Sequence, residues 1–378
     1  MTRGLYIHFP FCKHICNYCD FYVLDTIEKT NSYIESILIE FDLFFKNHPH
    51  FIKSKINTIY FGGGTPSLMS PNHLNQIIAK IKEYLLLDDE LEISMEANPS
   101  SLNKENITAY KEIGLNRLSI GVQSFVKKEL GKLTRDHSPK KAIDSVNTAF
   151  ESGINNISVD LIFSIPDQTP GSYEESLAIA SSLPISHIST YSLIYEPGTK
   201  LYKKWKEGKV KKLSDDEDAD LYERSIDLLS KKGFEQYEVS NFARNGKYCK
   251  HNLQAWQRGE YFAFGVSSHG HLDSIRFSNH RDIIKYSKDI DQGNLPVFSK
   301  EILTDREKIE ESIFLGLRAT GFNLETTLSN SNNPNELMKR INELMSEGYL
   351  IINDNNVSLT KRGYMICDNL SFQIINLL

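Results

Sequence analysis

Leu5-Tyr6-Ile7-His8-Phe9-Pro10-Phe11-Cys12-Lys13-His14-Ile15-Cys16-Asn17-Tyr18-Cys19 sets a short strand-like run directly before three cysteines spaced C-x3-C-x2-C. Four arrangements compete for three cysteines this close together. Structural zinc normally takes four ligands, and His14 would have to be the fourth, from inside the loop with poor reach. A disulfide leaves one thiol over and is disfavoured in a reducing compartment. Three buried structural cysteines are the plain alternative. Three thiolates on one 4Fe–4S cluster leave the fourth iron without a protein ligand, so that a small molecule can bind it. The cysteines follow the C-terminal end of a strand, where α/β folds place ligand sites. Phe9, Phe11, Tyr18, Phe21 and Tyr22 flank them. Such a wall shields a cluster from water and oxygen, and it also serves as ordinary core.

Outward from this stretch, strand-like and helical runs alternate. The expected strands are Leu5–Phe9, Asn57–Phe61, Glu92–Glu96, Arg117–Val122, Ser158–Phe163 and His187–Leu193. In Pro71–Leu85, Leu74, Ile77, Ile78, Ile81 and Leu85 recur at helical spacing, the mark of one buried stripe. Thr30–Phe45, Lys104–Ile113, Lys140–Ser152 and Ser172–Ser182 read the same way. Repeated alternation means parallel βαβ units, either an open doubly wound sheet or an incomplete (β/α) barrel. Tyr202–Asp220 reads as a charged connector before a helix at Leu221–Lys232. Tyr237–Leu272 reads as an irregular segment dense in aromatics, Gly and His. Past Asp305 come helices at Glu307–Arg318 and Asn335–Glu347, then a hairpin about Asn353-Asp354-Asn355, a winged-helix-like order. The expected organisation is residues 1–200, 201–300 and 301–378.

The chain has 378 residues, 40% of them hydrophobic and 24% charged, with a formal charge of −6. That is enough apolar surface for a large core, and it excludes wholesale disorder. It implies no strong attraction to nucleic acid or to an anionic membrane. Residues 301–378 carry seven Lys and Arg against eleven Asp and Glu. A winged DNA-binding surface should be basic, so this segment reads as a substrate cover or docking domain. No membrane span or signal peptide is evident, and a cytoplasmic location is expected. The cysteines are Cys12, Cys16, Cys19, Cys249 and Cys367. Their odd number forbids complete pairing.

A C-x3-C-x2-C motif after a first strand, with six βα units, resembles the radical S-adenosylmethionine (SAM) superfamily. The resemblance implies an α/β fold built on a partial (β/α)6 barrel. It also implies a 4Fe–4S cluster on Cys12, Cys16 and Cys19, with SAM chelated to the open iron. In that superfamily one electron cleaves the sulfonium and yields a 5′-deoxyadenosyl radical. Phe61-Gly62-Gly63-Gly64-Thr65-Pro66-Ser67 follows the second strand, where three glycines let the backbone approach a ligand and expose its amides. Taken alone, the triplet is as well explained by a tight turn. Glu96 and Gln123 end the third and fourth strands, and Asp160 lies in the fifth. Polar groups at successive strand ends ring the rim where barrels hold ligands. A carboxylate there accepts from ribose hydroxyls or an ammonium. Arg135 can pair with a carboxylate, though by itself it reads as a surface cation.

The resemblance narrows to the oxygen-independent coproporphyrinogen III oxidases and their relatives, the HemW-type heme chaperones. It rests on Tyr6-Ile7-His8-Phe9-Pro10-Phe11-Cys12, Gly62–Ser67, Glu96-Ala97-Asn98-Pro99, Arg117–Phe125 and Glu196-Pro197-Gly198-Thr199, and covers nearly the whole chain. It implies SAM contacts at Tyr6, Gly63, Gly64, Thr65, Glu96, Gln123, Arg135 and Asp160. The oxidases carry a further cysteine two residues past the third; here that position is Phe21, which favours the chaperone branch. His251-Asn252-Leu253-Gln254-Ala255-Trp256 is similar to the H-N-x-x-Y-W motif proposed for heme in that branch, with Ala255 for the tyrosine. His251 can ligate heme iron and Trp256 can stack on a porphyrin; Cys249 is a second soft donor nearby. The implied function is a heme chaperone that passes heme to an acceptor protein and takes electrons from a donor. Porphyrinogen decarboxylation, or radical chemistry on another substrate, is the alternative. Thr134, Ser164 and Asp167 stand where the family has glycine, which bears on substrate handling more than on cofactor binding.

Overall fold

The computed structural model describes residues 2–378. The first half runs β1 (Arg3–Phe9), α1 (Thr30–Asn47), β2 (Lys55–Gly63), α2 (Pro71–Tyr84), β3 (Leu86–Ala97), α3 (Lys104–Ile113), β4 (Arg117–Gln123), α4 (Lys127–Lys132), α5 (Pro139–Glu151), β5 (Asn156–Phe163), α6 (Pro170–Ser182) and β6 (His187–Ser192). The middle runs α7 (Lys200–Lys206), α8 (Asp215–Lys231), β7 (Glu235–Gln236), β8 (Asn241–Ala243), α9 (Lys250–Trp256), β9 (Tyr261–Phe264), β10 (His269–Leu272), β11 (Ile275–Asn279), α10 (Ile283–Asp291) and β12 (Val297–Ile302). The last part holds α11 (Asp305–Leu317), β13 (Phe322–Asn323), α12 (Leu324–Ser329), α13 (Pro334–Ser346), β14 (Leu350–Asn353), β15 (Asn356–Leu359), α14 (Lys361–Tyr364) and α15 (Cys367–Ile375).

Strands β1 to β6 pair in sequence order, all parallel. They are the six expected strands, and the fold is α/β. The alternation of side chains is clearest in β4 and β5. In β4, Leu118, Ile120 and Val122 are buried towards the helices, while Arg117, Ser119, Gly121 and Gln123 take the other face. In β5, Val159 and Leu161 alternate with Ser158 and Asp160. Successive residues of a strand point to opposite faces, so one face of the sheet is apolar and the trough inside it is polar.

The covering helices form where the apolar stripes lie. Helix α2 starts with Ser70 as a capping box and Pro71 in its first turn, and buries Leu74, Ile77, Ile78 and Ile81. Helix α3 buries Ile107 and Tyr110, and ends at Gly114 with φ +117°.

Two expectations about the middle change. The connector Tyr202–Asp220 contains helical chain: α7 covers its start, and α8 begins at Asp215, six residues before Leu221. Ser214 and Glu217 form a capping box there, and four acidic residues occupy the first turn, where they favour the positive helix end. The segment Tyr237–Leu272 is ordered. Its β9 pairs parallel with β1 and its β8 antiparallel with β6. The sheet therefore has twelve strands, in the order β12-β11-β10-β9-β1-β2-β3-β4-β5-β6-β8-β7. Helix α9, between β8 and β9, lies across the inner trough: Thr58 of β2 bonds to His251 at 2.9 Å.

The C-terminal residues have a core of their own, with Ile313, Leu317, Leu337, Ile341, Leu370 and Ile374 at its centre. Its three strands pair in the order β13-β15-β14, and β14 and β15 form the expected hairpin. Asp354 and Asn355 turn it with positive φ. Cys367 is buried in this core. Arg258–Glu311, at 2.7 Å, and the Val239 N–H to Arg318 carbonyl bond, at 2.8 Å, join it to the sheet.

Candidate functional site

The three cysteines line one cavity of about 530 Å³ at the C-terminal ends of the parallel strands, within the usual range of small-molecule sites. Cys12 continues β1; its N–H donates to the Leu24 carbonyl at 2.8 Å, and its thiol accepts from Thr65 Oγ1 at 3.3 Å. Burial pushes the Cys12 thiol up and the Cys19 thiol up to about 11, and the neighbouring sulfurs add to both shifts. Without a positive partner these thiols keep their protons, and a bound metal would supply that partner. Among the described residues, no group of three His, Cys, Asp or Glu is placed to hold a single metal ion. His14 lines the same cavity as the cysteines. Three thiols around one cavity, close enough to influence one another, match the donor set of a 4Fe–4S cluster with one open iron.

The glycine triplet is the seat of this loop. A Cβ on Gly64 would lie 2.8 Å from the Pro10 and Phe11 backbone. Gly63 has φ +113°, and a Cβ there would strike the His8 ring at 2.6 Å. Two of the triplet's amides, and that of Thr65 after it, are already used within the protein. Gly63 N–H donates to Glu96 Oε2 at 3.1 Å, Gly64 N–H to the Phe9 carbonyl at 2.7 Å and Thr65 N–H to the Phe11 carbonyl at 2.9 Å. Closing the strand end against the cysteine loop uses them.

Glu96 also accepts the Tyr60 hydroxyl at 3.0 Å, and burial, with Asp160 adding, pushes its carboxyl up to about 7. Asp160 accepts Ser119 Oγ at 3.0 Å and is likewise raised by burial. Gln123 closes β4 at φ +70°, and its Nε2 folds over Gly121. Arg135 donates from Nη2 to the Gly121 carbonyl at 2.5 Å, and its Nη1 lies 3.5 Å from Cys16 Sγ. Its Nε is buried with no partner, so the guanidinium keeps a donor for an anionic ligand group. Gly63, Gly64, Thr65, Glu96, Gln123, Arg135 and Asp160 all line the cysteine cavity.

Tyr6 does not line it. Its hydroxyl bonds to His8 Nδ1 at 3.0 Å and its ring stacks on Tyr60, 6.2 Å between centroids. His251 and Trp256 also lie outside the lining, though their neighbour Asn252 is part of it. The His251 ring stacks on Tyr60 at 5.0 Å, and burial lowers its pKa to about 4, so it is neutral at pH 7. Trp256 is five residues further along α9, about 140° around the helix. The structure does not bring the two side chains to one face. Cys249 is buried beside Glu92, 3.9 Å from its Oε1, and burial raises its thiol to about 11.

Sequence reading missed several residues of the trough: Tyr60, Arg117, Ser119, Ser189 and Tyr191 line the cavity. The signal that finds them is the polar half of each alternating strand, Arg117-x-Ser119-x-Gly121-x-Gln123 above all.

Residues 6–180 match the model of the radical SAM superfamily, and residues 303–366 match the HemN C-terminal domain. A heme chaperone HemW from Lactococcus lactis is 35% identical over 97% of this chain and 96% of its own. One from Bacillus subtilis is 37% identical over 84% of each chain. The solved structure of the radical SAM enzyme coproporphyrinogen III oxidase (HemN) from Escherichia coli covers 100% of this chain and 91% of its own with a TM-score of 0.83. At 20% identity that likeness speaks for the fold alone.

Proposed function

The chain belongs to the radical SAM family, in the branch of the heme chaperone HemW, and on that premise we propose that it binds a 4Fe–4S cluster, SAM and heme, and hands heme to an acceptor protein. The observation that carries this reading is the cysteine cavity: three thiols and no fourth, ringed by Glu96, Gln123, Arg135 and Asp160.

Cys12, Cys16 and Cys19 hold the cluster. Arg135 pairs with the carboxylate of SAM through its unpartnered Nε. Asp160 and Glu96 face its ammonium and ribose hydroxyls, and their raised pKa values fall when a cation arrives. Bound there, cluster and sulfonium supply one-electron chemistry. Thr65, Phe11 and Tyr18 keep bulk water from the thiols.

His251 is the side chain that would ligate heme iron. The ring is neutral; with Nδ1 bonded to Thr58, Nε2 is the nitrogen left for iron. An unidentified reductant and an unidentified acceptor complete the cycle, and the acidic C-terminal domain is offered as cover or docking surface. A porphyrinogen decarboxylase is disfavoured by Phe21, which stands at the cavity mouth 70% exposed where the oxidases carry cysteine.

Two incubations of one anaerobic preparation test the reading. Heme titration is expected to give a saturable Soret band near one equivalent. Coproporphyrinogen III with reductant and SAM is expected to remain unchanged. Formation of protoporphyrinogen IX would replace the chaperone by the oxidase.

A further inference from the structure

Thr134 holds φ +54°, in the left-handed region where a β-branched residue is an outlier. Such strain persists only where surrounding bonds enforce it. Here Thr134 Oγ1 accepts the backbone N–H of Asn17 at 3.0 Å. Asn17 lies between the second and third cysteines and is only 4% exposed. Its side chain donates from Nδ2 to the Lys132 carbonyl at 2.9 Å, and its own carbonyl accepts the Leu201 N–H at 2.8 Å. Lys132 pairs with Asp167 at 2.5 Å, and Asp167 also sits in the left-handed region, at φ +63°. The end of α4 and the start of α7 therefore converge on one residue of the cysteine loop, and the loop after β5 braces Lys132.

We propose that Thr134 and Asn17 form a strap that holds the Cys16–Cys19 turn in ligand geometry before iron arrives, Thr134 being a positioning residue for the cluster. This rests on the three cysteines being the cluster ligands. A glycine at 134 would adopt the same backbone without strain but would offer Asn17 no acceptor. The strained threonine exchanges local ease for a fixed loop. The loop is otherwise short of regular structure: among its own residues, one backbone bond closes it, Cys19 N–H to the Cys16 carbonyl at 3.3 Å.

The test compares T134A, T134G and T134S in the full-length chain. Threonine to serine keeps the hydroxyl, alanine removes it, and glycine removes it together with the strain. In cluster-free protein, hydrogen exchange at the Asn17 amide is expected to quicken roughly tenfold in T134A and T134G, the factor set by about 1.4 kcal/mol, and to stay near wild type in T134S. In reconstituted protein, iron loss to a chelator is expected to quicken several-fold in the same two variants and not in T134S. Should T134A fail to fold, T134G, relieved of strain, carries the comparison. Wild-type exchange and wild-type iron loss in the hydroxyl-free variants would overturn the strap. The expected exchange difference in T134A and T134G, together with a wild-type chain that assembles no cluster, would instead overturn the ligand reading beneath it.

Discussion

Arg135 Nη1 lies 3.5 Å from Cys16 Sγ while the Nε of the same guanidinium is buried without a partner. One side chain thus meets a cysteine sulfur and keeps an unused donor. Arg135→Gln should leave iron content close to wild type and weaken SAM binding by about ten- to a hundredfold, the range for a lost hydrogen bond to a charged group. Equilibrium binding on the reconstituted protein checks it; unchanged affinity would remove Arg135 from the SAM site.

Gly64 and Gly131 offer a matched pair. A Cβ on Gly64 meets the Pro10 and Phe11 backbone at 2.8 Å, whereas one on Gly131 meets nothing within 4 Å. Gly64→Ala is expected to cost about 1–3 kcal/mol by overpacking and to cut cluster occupancy. Gly131→Ala in α4 should be neutral or stabilise by roughly 0.5–1 kcal/mol. Thermal unfolding and iron analysis read both.

Glu40 predicts a pH effect. Its carboxylate is buried among the Gly265 N–H, Asn279 Nδ2 and the Tyr286 hydroxyl, and burial pushes its pKa up to about 7. A carboxyl whose folded pKa is raised stabilises fully below the unfolded value. That contribution is lost as pH rises through about 7, because the unfolded chain ionises first. Glu40→Gln should therefore gain on wild type as pH rises from about 4.5 to 7, by at most about 1.4 kcal/mol per pH unit. A stability difference independent of pH would contradict it.

His251 and Trp256 should behave differently. His251→Ala is expected to weaken heme binding about tenfold or more and to alter the Soret spectrum. Trp256→Ala should leave the spectrum in place, because its side chain is turned away from His251 around α9. Equal spectral loss in both variants would mean that α9 rearranges on heme binding.

Much of this was legible from residue order. The six parallel strands stood out because apolar runs alternate with helical stripes, and the cysteine loop because its spacing is uncommon. The α8 start was obscured by its acidic first turn, which reads as solvated connector until Ser214 is recognised as a cap. Strands β8 and β9 are three and four residues long. Their pairing with β6 and β1 is a long-range contact that no local pattern carries. The spent amides of Gly63, Gly64 and Thr65 depend on how β2 meets the loop after β1, and motif spacing does not give the helix facing that separates Trp256 from His251.

The most direct test is EPR spectroscopy of the anaerobically reconstituted, reduced protein with and without SAM. The account predicts about four irons per chain, a 4Fe–4S signal that changes on adding SAM, and loss of that cluster in Cys12→Ala, Cys16→Ala and Cys19→Ala. A cluster assembled unchanged without these thiols, or a signal indifferent to SAM, would contradict it.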